Sequence, residues 1–331
     1  MAVVESLPAR DLLTQPLSAA DFARAAQEIY TELLPTPQLV WPLLAARCGC
    51  EVWVKHENHL PTGAFKVRGG LWFMHQLSEA RPALRGVVAA TRGNHGQSIG
   101  YAARLHDLGA VMVVPHGNNP DKNRAMAALG VELIEHGEDF NAAQDYATLL
   151  AAQRGLYLIP SFHPLLVQGV GTYGYELLRA VPDLDAVYVP IGLGSGIAGV
   201  LAARNALGLR TEIIGVVSTH ADAYAQSFER GELVTTASAD TLADGLAVRV
   251  PSPAALSYLR SGVARVVRVS DEQVLGAIAA LFTDTHNLVE GAGAAPLAAL
   301  INERERMRGR RVAVVVSGGN IDRATLQRAL A

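Results

Sequence analysis

Cysteine is nearly absent from this chain. Among 331 residues there are two, Cys48 and Cys50, separated by a single glycine. Two thiols so placed are too few for a disulfide framework, and no partners stand at the spacing a zinc finger needs, so they read as reduced structural thiols. An excess of one charge is lacking too: the net charge is −3, the pI is about 6.4, and the 28 basic residues are scattered. That excludes the electrostatic footprint of a nucleic-acid or anionic-membrane binder and leaves a small molecule as the expected partner. No apolar run is long enough to span a bilayer, and Glu5, Arg10 and Asp11 interrupt the N-terminal stretch where a secretion leader would be apolar. The expected compartment is the cytoplasm. Internal repeats, low-complexity segments and linkers rich in proline, glycine or serine are all missing, so any domain boundary must be compact.

Half of the residues are hydrophobic, ample for one large domain with an insertion or for two domains. Ser18 and Asp21 resemble a capping box, after which Phe22, Ala25, Ile29 and Leu33 recur at helical spacing as far as Pro35. Beyond this opening helix, short β-branched runs alternate with alanine-rich helical stretches. The strand candidates are Glu51–Lys55, Val87–Ala90, Ala110–Pro115, Val131–Ile134, Leu156–Ile159, Ala186–Pro190, Glu212–Val217 and Val312–Val316. Strands separated by single helices predict an α/β fold with open, mainly parallel twisted sheets flanked by helices.

In such sheets ligands gather where strands end and helices begin. Gly192-Leu193-Gly194-Ser195-Gly196 follows the strand ending at Pro190 and leads into a helix expected near Ile197. Its glycines let backbone N–H groups approach an anion, and a phosphate is the natural guest; a tight turn without a ligand is the plain alternative. Gly194 to Gly199 also satisfies the dinucleotide fingerprint, which makes a nicotinamide-dependent oxidoreductase a rival. Its next strand, however, ends in Val216-Val217-Ser218-Thr219-His220 with no carboxylate for the ribose. Thr91-Arg92-Gly93-Asn94-His95-Gly96-Gln97 presents a second helix start, suited to a carboxylate or oxyanion. The plain alternative is an ordinary cap in which Asn94 binds only backbone and His95 is solvated. Lys66 lies in the small, apolar setting Pro61-Thr62-Gly63-Ala64-Phe65-Lys66, where desolvation favours a neutral, nucleophilic amine fit for Schiff-base chemistry. Ser317-Gly318-Gly319-Asn320 follows the last strand as a turn.

Together, Ala64-Phe65-Lys66-Val67-Arg68-Gly69, Thr91 to Gln97, the glycine loop and Ser317 to Asn320 resemble the pyridoxal-phosphate-dependent serine/threonine dehydratase and serine racemase family, of the tryptophan-synthase-β fold type. The resemblance covers nearly the whole chain. It implies a large cofactor-binding domain from 1–86 and 163–331, a small inserted α/β domain at 87–162, and a homodimer. By position, Lys66 resembles the Schiff-base lysine and Phe65 its aromatic neighbour. Asn94 would bond the phenolic oxygen, Gly192, Leu193, Gly194, Ser195 and Gly196 the phosphate, and Ser317 the pyridine nitrogen, with Glu290 near the ring. Thr91, Gly93 and His95 would receive the substrate carboxylate, and Asp244-Gly245-Leu246 would lie close to substrate. A hydroxyl opposite the ring nitrogen makes a weaker electron sink than a carboxylate would, which suits elimination of a β-hydroxyl better than transamination.

The implied activity is an ammonia-lyase turning a β-hydroxy amino acid into a 2-oxo acid and ammonia. Threonine, serine, phenylserine and 3-hydroxyaspartate are all open as substrates; a racemase or β-replacement synthase is the alternative. Departures from the family pattern inform as well. Arg92 stands where racemases carry a serine, and a guanidinium is a poor proton shuttle. It would engage a substrate carboxylate or form an ordinary salt bridge. Val217 and Ala223 occupy positions where some members carry acidic cation ligands, so no metal is expected, although Asp222 and Asp244 lie near. Glu290 could also be a helix cap or ion-pair partner. The chain ends at Ala331, which leaves no room for a regulatory domain and makes end-product control unexpected.

Overall fold

The computed structural model describes residues 7–331; the reading made at Glu5 lies outside the described residues. Among the described residues ten strands form two sheets. The larger contains β1 (Gln38–Val40), β2 (Glu51–His56), β7 (Ala186–Pro190), β8 (Glu212–Ser218), β9 (Arg265–Val269) and β10 (Arg311–Val316), in the order β1-β2-β10-β7-β8-β9. The smaller contains β3 (Gly86–Ala90), β4 (Gly109–Val114), β5 (Glu132–Glu135) and β6 (Tyr157–Leu158), in the order β5-β4-β3-β6. All pairings are parallel except β1 with β2. The central strand β10 reads Val-Ala-Val-Val-Val after Arg311 because helices cover both its faces.

The fold class agrees with the expectation, and two strands were not foreseen. β1 is three residues long, too short for a periodic signal. β9 hides its alternation behind Arg265 and Arg268, which lie on an edge strand and pair with Glu212, Glu303, Asp222 and Glu229. The opening helix, Ala19–Ile29, has the foreseen capping box, with Ser18 Oγ accepting from Asp21 N–H and Asp21 Oδ2 accepting from Ser18 N–H. The helix after the glycine loop starts at Ser195 rather than near Ile197. Cys48 and Cys50 are buried and unbridged, and burial pushes their thiols up to about 12 and about 11. Among the described residues no helix is long and apolar enough to cross a membrane.

Helix Lys66–Ala80 packs on both Asn94–Leu105 of the smaller layer and Pro164–Ala180 of the larger. Helices Pro164–Ala180 and Ser195–Ala206 meet backbone to backbone, where a Cβ on Gly199 would lie 2.7 Å from Gly171 Cα. Below the start of Lys66–Ala80 lies a wholly enclosed charge network. The Arg68 guanidinium bonds Glu57 at 2.7 and 3.1 Å and Glu176 at 2.6 and 3.1 Å, while Lys55 bonds Glu176 at 2.5 Å. Arg68, Lys55 and Glu57 are fully buried. Burial works against the Arg68 charge, but Glu57 and Glu176 outweigh it and raise its pKa.

Two cations facing two carboxylates leave the network neutral, and removing one partner strands a buried charge, at a cost of about 3–5 kcal/mol. Arg68→Met is therefore expected to lower the chemical-denaturation midpoint by an amount in that range. An unchanged midpoint would mean that water reaches the network.

Candidate active site

The functional residues come together because the C-terminal ends of β3, β7 and β10 point to one place. After β3, Thr91 to Gly93 turn into helix Asn94–Leu105; after β7, Ile191 to Gly194 turn into Ser195–Ala206; β10 delivers Ser317. Helix Lys66–Ala80 begins opposite them, tied to the last turn by Phe65 N–H donating to Ser317 O at 3.0 Å and by the Ala64–Gly318 bridge. Between them lies a cavity of about 590 Å³, and every site residue expected from the sequence lines it: Phe65, Lys66, Thr91 to His95, Gly192 to Gly196, Glu290 and Ser317.

Lys66 is one of three lysines in the chain. The other two are neutralised by carboxylates, Lys55 by Glu176 and Lys122 by Asp244 and Glu290. Among the described residues Lys66 has no ion pair. Its carbonyl accepts from Ser98 Oγ at 2.6 Å, and its Nζ lies 5.1 Å from the centre of the Phe65 ring. The side chain faces the cavity while protein surrounds it elsewhere. Burial lowers its pKa from 10.5 to about 8, with Glu290 partly opposing. The Phe65 ring in turn packs edge-on against Tyr173 at 5.8 Å, and the Tyr173 hydroxyl donates to Gly196 O.

The glycines of the loop are required by the fold around it. Gly194 has φ +96°, which L side chains rarely adopt, and a Cβ on Gly192 would lie 2.4 Å from Gly245 O. The helix that follows begins with N–H groups that have no carbonyl within the helix to bond. At the other helix start, Thr91 Oγ1 accepts from Gly93 and Gly96 N–H, both at 2.9 Å, leaving its own proton to donate.

Two plain alternatives are overturned here. Asn94 is not a backbone cap; its side chain donates to Glu290 at 2.6 Å and accepts from Asn320 at 2.9 Å. His95 is not solvated. Burial first, then the neighbouring Lys66, depress its pKa to about 3, so the imidazole stays neutral. Arg92 lines both this cavity and a second of about 340 Å³, has no ion pair among the described residues, and its Nε is buried without a partner. Asp222 is engaged by Arg268 and Asp244 by Lys122. Among the described residues no group of three or more His, Cys, Asp or Glu could hold a metal ion. Lys122 escaped the sequence reading altogether; the scarcity of lysine was the signal that could have found it.

A family model described as "Pyridoxal-phosphate dependent enzyme" matches residues 29–318. The chain belongs to this family. It is 39% identical over 282 residues to the L-threonine ammonia-lyase of Geobacter sulfurreducens, covering 85% of this chain and 70% of that one. It is 31% identical over 303 residues to the L-threo-3-hydroxyaspartate ammonia-lyase of Saccharomyces cerevisiae, covering 91% and 93%. The solved structure of the processed form of threonine deaminase isoform 2 from Solanum lycopersicum superposes with a TM-score of 0.85 at 28% identity, over 99% of this chain and 98% of that one.

The enzyme is pyridoxal-phosphate dependent, and the residues present fit that cofactor. A desolvated amine suits its aldehyde, a glycine-rich helix start suits its phosphate dianion, and the Asn94 amide and the Ser317 hydroxyl line the same cavity.

The isolation of Lys66 can be measured in cofactor-free protein. Acylation of each lysine, followed by peptide mass spectrometry as pH rises, should show Lys66 half-reactive near pH 8, because lowering the pKa exposes the neutral amine earlier. A midpoint near 10 would show that the site is wetter than the structure implies.

Proposed function

We propose that this enzyme is an ammonia-lyase that converts a β-hydroxy amino acid to a 2-oxo acid and ammonia. The observation that carries the reading is the pairing, across one cavity, of an isolated lysine with a serine rather than a carboxylate, Lys66 with Ser317. The relatives acting on threonine and 3-hydroxyaspartate support it.

Pyridoxal phosphate, when bound, supplies a carbonyl for the substrate amine and a ring that draws electrons from the α-carbon. In this reading the N–H groups from Gly192 through Gly196 would hold the phosphate, with the Ser195 hydroxyl beside them. Phe65 would flank the ring, Asn94 would donate to the phenolic oxygen, and Ser317 would share a hydrogen bond with the ring nitrogen. The Thr91 proton, the Gly93 backbone and neutral His95 would orient the substrate carboxylate. Lys66 would take the α-proton, its lowered pKa bringing a neutral amine within reach near pH 8. The β-hydroxyl leaves as water and a water molecule returns in hydrolysis, so the net products are the 2-oxo acid and ammonia. Arg92 cannot return a proton to the opposite face of the α-carbon, which argues against racemisation.

The reading also takes 1–86 and 163–331 as the large domain and 87–162 as a small domain closing over substrate, a division supported by the two separate sheets. It includes serine among the substrates, a homodimer, and residence in the cytoplasm.

Two experiments test it. Purified, cofactor-loaded protein is expected to show a visible band that depends on Lys66 and to release ammonia from at least one member of a panel of serine, threonine, phenylserine and 3-hydroxyaspartate. Lys66→Ala should lose turnover by roughly a thousandfold or more. A band without ammonia from any of them would move the assignment to racemase or synthase. Separately, Arg92→Ala should lower kcat/KM for 3-hydroxyaspartate by at least about tenfold more than for threonine, because a charge-assisted bond to the second carboxylate is lost. An equal loss on both would place Arg92 at the α-carboxylate instead.

A further inference from the structure

Asn94 can serve a cofactor oxygen only if its amide is turned the right way. A primary amide has two N–H donors and one carbonyl acceptor. Here the carbonyl accepts from Asn320 Nδ2 at 2.9 Å, and one N–H donates to Glu290 Oε1 at 2.6 Å. The second N–H is left for the cavity. The flipped amide would set oxygen against the Glu290 carboxylate and N–H against the Asn320 N–H, two repulsions in place of two bonds. The orientation therefore holds only while Glu290 Oε1 stays in place as the acceptor.

Glu290 is almost fully enclosed, and burial, with Asp244 adding to it, holds its pKa above the ordinary carboxylate value although Lys122 and the Asn94 amide oppose the shift. Its Oε2 is anchored by Lys122, whose Nζ lies 3.4 Å from Glu290 Oε2 and 2.5 Å from Asp244 Oδ2. Lys122 is itself 5% exposed, and its two carboxylate neighbours keep it charged. The titratable groups facing Glu290 are thus Lys122 from helix Pro120–Ala128, Asp244 from the short turn Asp244–Leu246, and Lys66 from its own helix.

Two motif glycines make room for this chain of contacts. A Cβ on Gly93 would lie 2.5 Å from Lys122 Cδ, and a Cβ on Gly318 would lie 2.5 Å from Glu290 Oε1. Any larger residue at either place would displace the ammonium or the carboxylate. The contacts also cross between the layers: Lys122 and Asn94 belong to the elements around the four-stranded sheet, whereas Asp244, Glu290 and Asn320 do not.

We propose that Lys122 is a positioning residue, anchoring Glu290 Oε2 so that Oε1 holds the Asn94 amide with one N–H turned to the cofactor's phenolic oxygen. This rests on the functional reading above, which places Asn94 beside that oxygen. Lys122 touches neither cofactor nor substrate in this role; it acts through two other side chains. It also absorbs the charge of Glu290, which would otherwise pair with Lys66 and hold the amine protonated.

The test compares wild type, Lys122→Met, Lys122→Arg and Glu290→Gln, with Arg249→Gln as a control. Arg249 bonds Asp139 at 3.0 Å between the same two layers but takes no part in the chain. The readouts are the dissociation constant of pyridoxal phosphate, from absorbance titration of cofactor-free protein, and the pH midpoint of the visible band of the resting enzyme. K122M is expected to weaken cofactor binding by about tenfold or more and to move the midpoint upward by about one unit, the equivalent of one lost partner, whereas E290Q, which removes the anion beside Lys66, should move it downward. K122R should restore most of both, and R249Q should leave the midpoint in place.

A K122M protein with native circular dichroism, unaltered affinity and an unmoved midpoint would overturn the proposal. So would a midpoint shift of the same size in R249Q, since loosening between the layers would then explain it. If K122M does not fold, K122Q, which keeps a polar side chain without the charge, decides by the same two readouts. Wild-type protein that takes up no cofactor would sink the functional reading itself, an outcome separate from these.

Discussion

An amine that must be neutral near physiological pH inside a protein has to be kept from carboxylates as well as from water, and the arrangement around Lys66 follows from that constraint. The chain has three lysines. Two are given carboxylate partners in enclosed networks, and the third is given an aromatic face and a backbone tie. Glu290 stands close enough to Lys66 to raise its pKa, yet desolvation wins, and the amine settles near 8. Glu290 is in turn paired with Lys122. The lowered pKa of one lysine is thus linked, through Glu290, to another drawn from a different layer of the fold.

The Arg68 network supports the same end from below. Arg68 stands one half-turn after Lys66, and its bonds to Glu57 and Glu176 join the start of helix Lys66–Ala80 to the turn after β2 and to helix Pro164–Ala180. Such a network does little for net stability compared with a well-packed apolar core, but it is directional. Apolar packing would tolerate a small rotation of the helix; six bonds to one guanidinium do not. With Gly69 pressed against Val170 and Leu166, and Gly70 against Ser98, the helix start has little freedom. The loop opposite is braced too, through Tyr173 between Phe65 and Gly196.

Much of this was legible from residues alone. Alternation of β-branched runs with alanine-rich stretches is a physical consequence of strands covered on both faces, and it marked eight of the ten strands. Glycine clusters at strand ends marked the loops, because only there must backbone approach a ligand. Charged edge strands escaped: the arginines of β9 are explained by partners far along the chain, Glu212, Glu229 and Glu303 among them. Lys122 escaped for a similar reason, as its meaning lies entirely in Glu290 and Asp244, more than a hundred residues away.

What the sequence by itself determined is the chemistry available: one lysine in a small apolar motif, a glycine-rich helix start, an amide and a histidine at another, a serine after the last strand. These are local matters of residue type and spacing, and the family resemblance rests on them. What only the tertiary structure decided is the electrical state of those groups. That His95 is neutral, that Asn94 faces Glu290 rather than capping its own helix, and that Lys66 alone among the lysines lacks a counter-ion all depend on burial and on partners brought from distant segments. Ionisation responds to distances of a few ångströms and to the loss of water, and neither is written in the order of residues until the chain has folded.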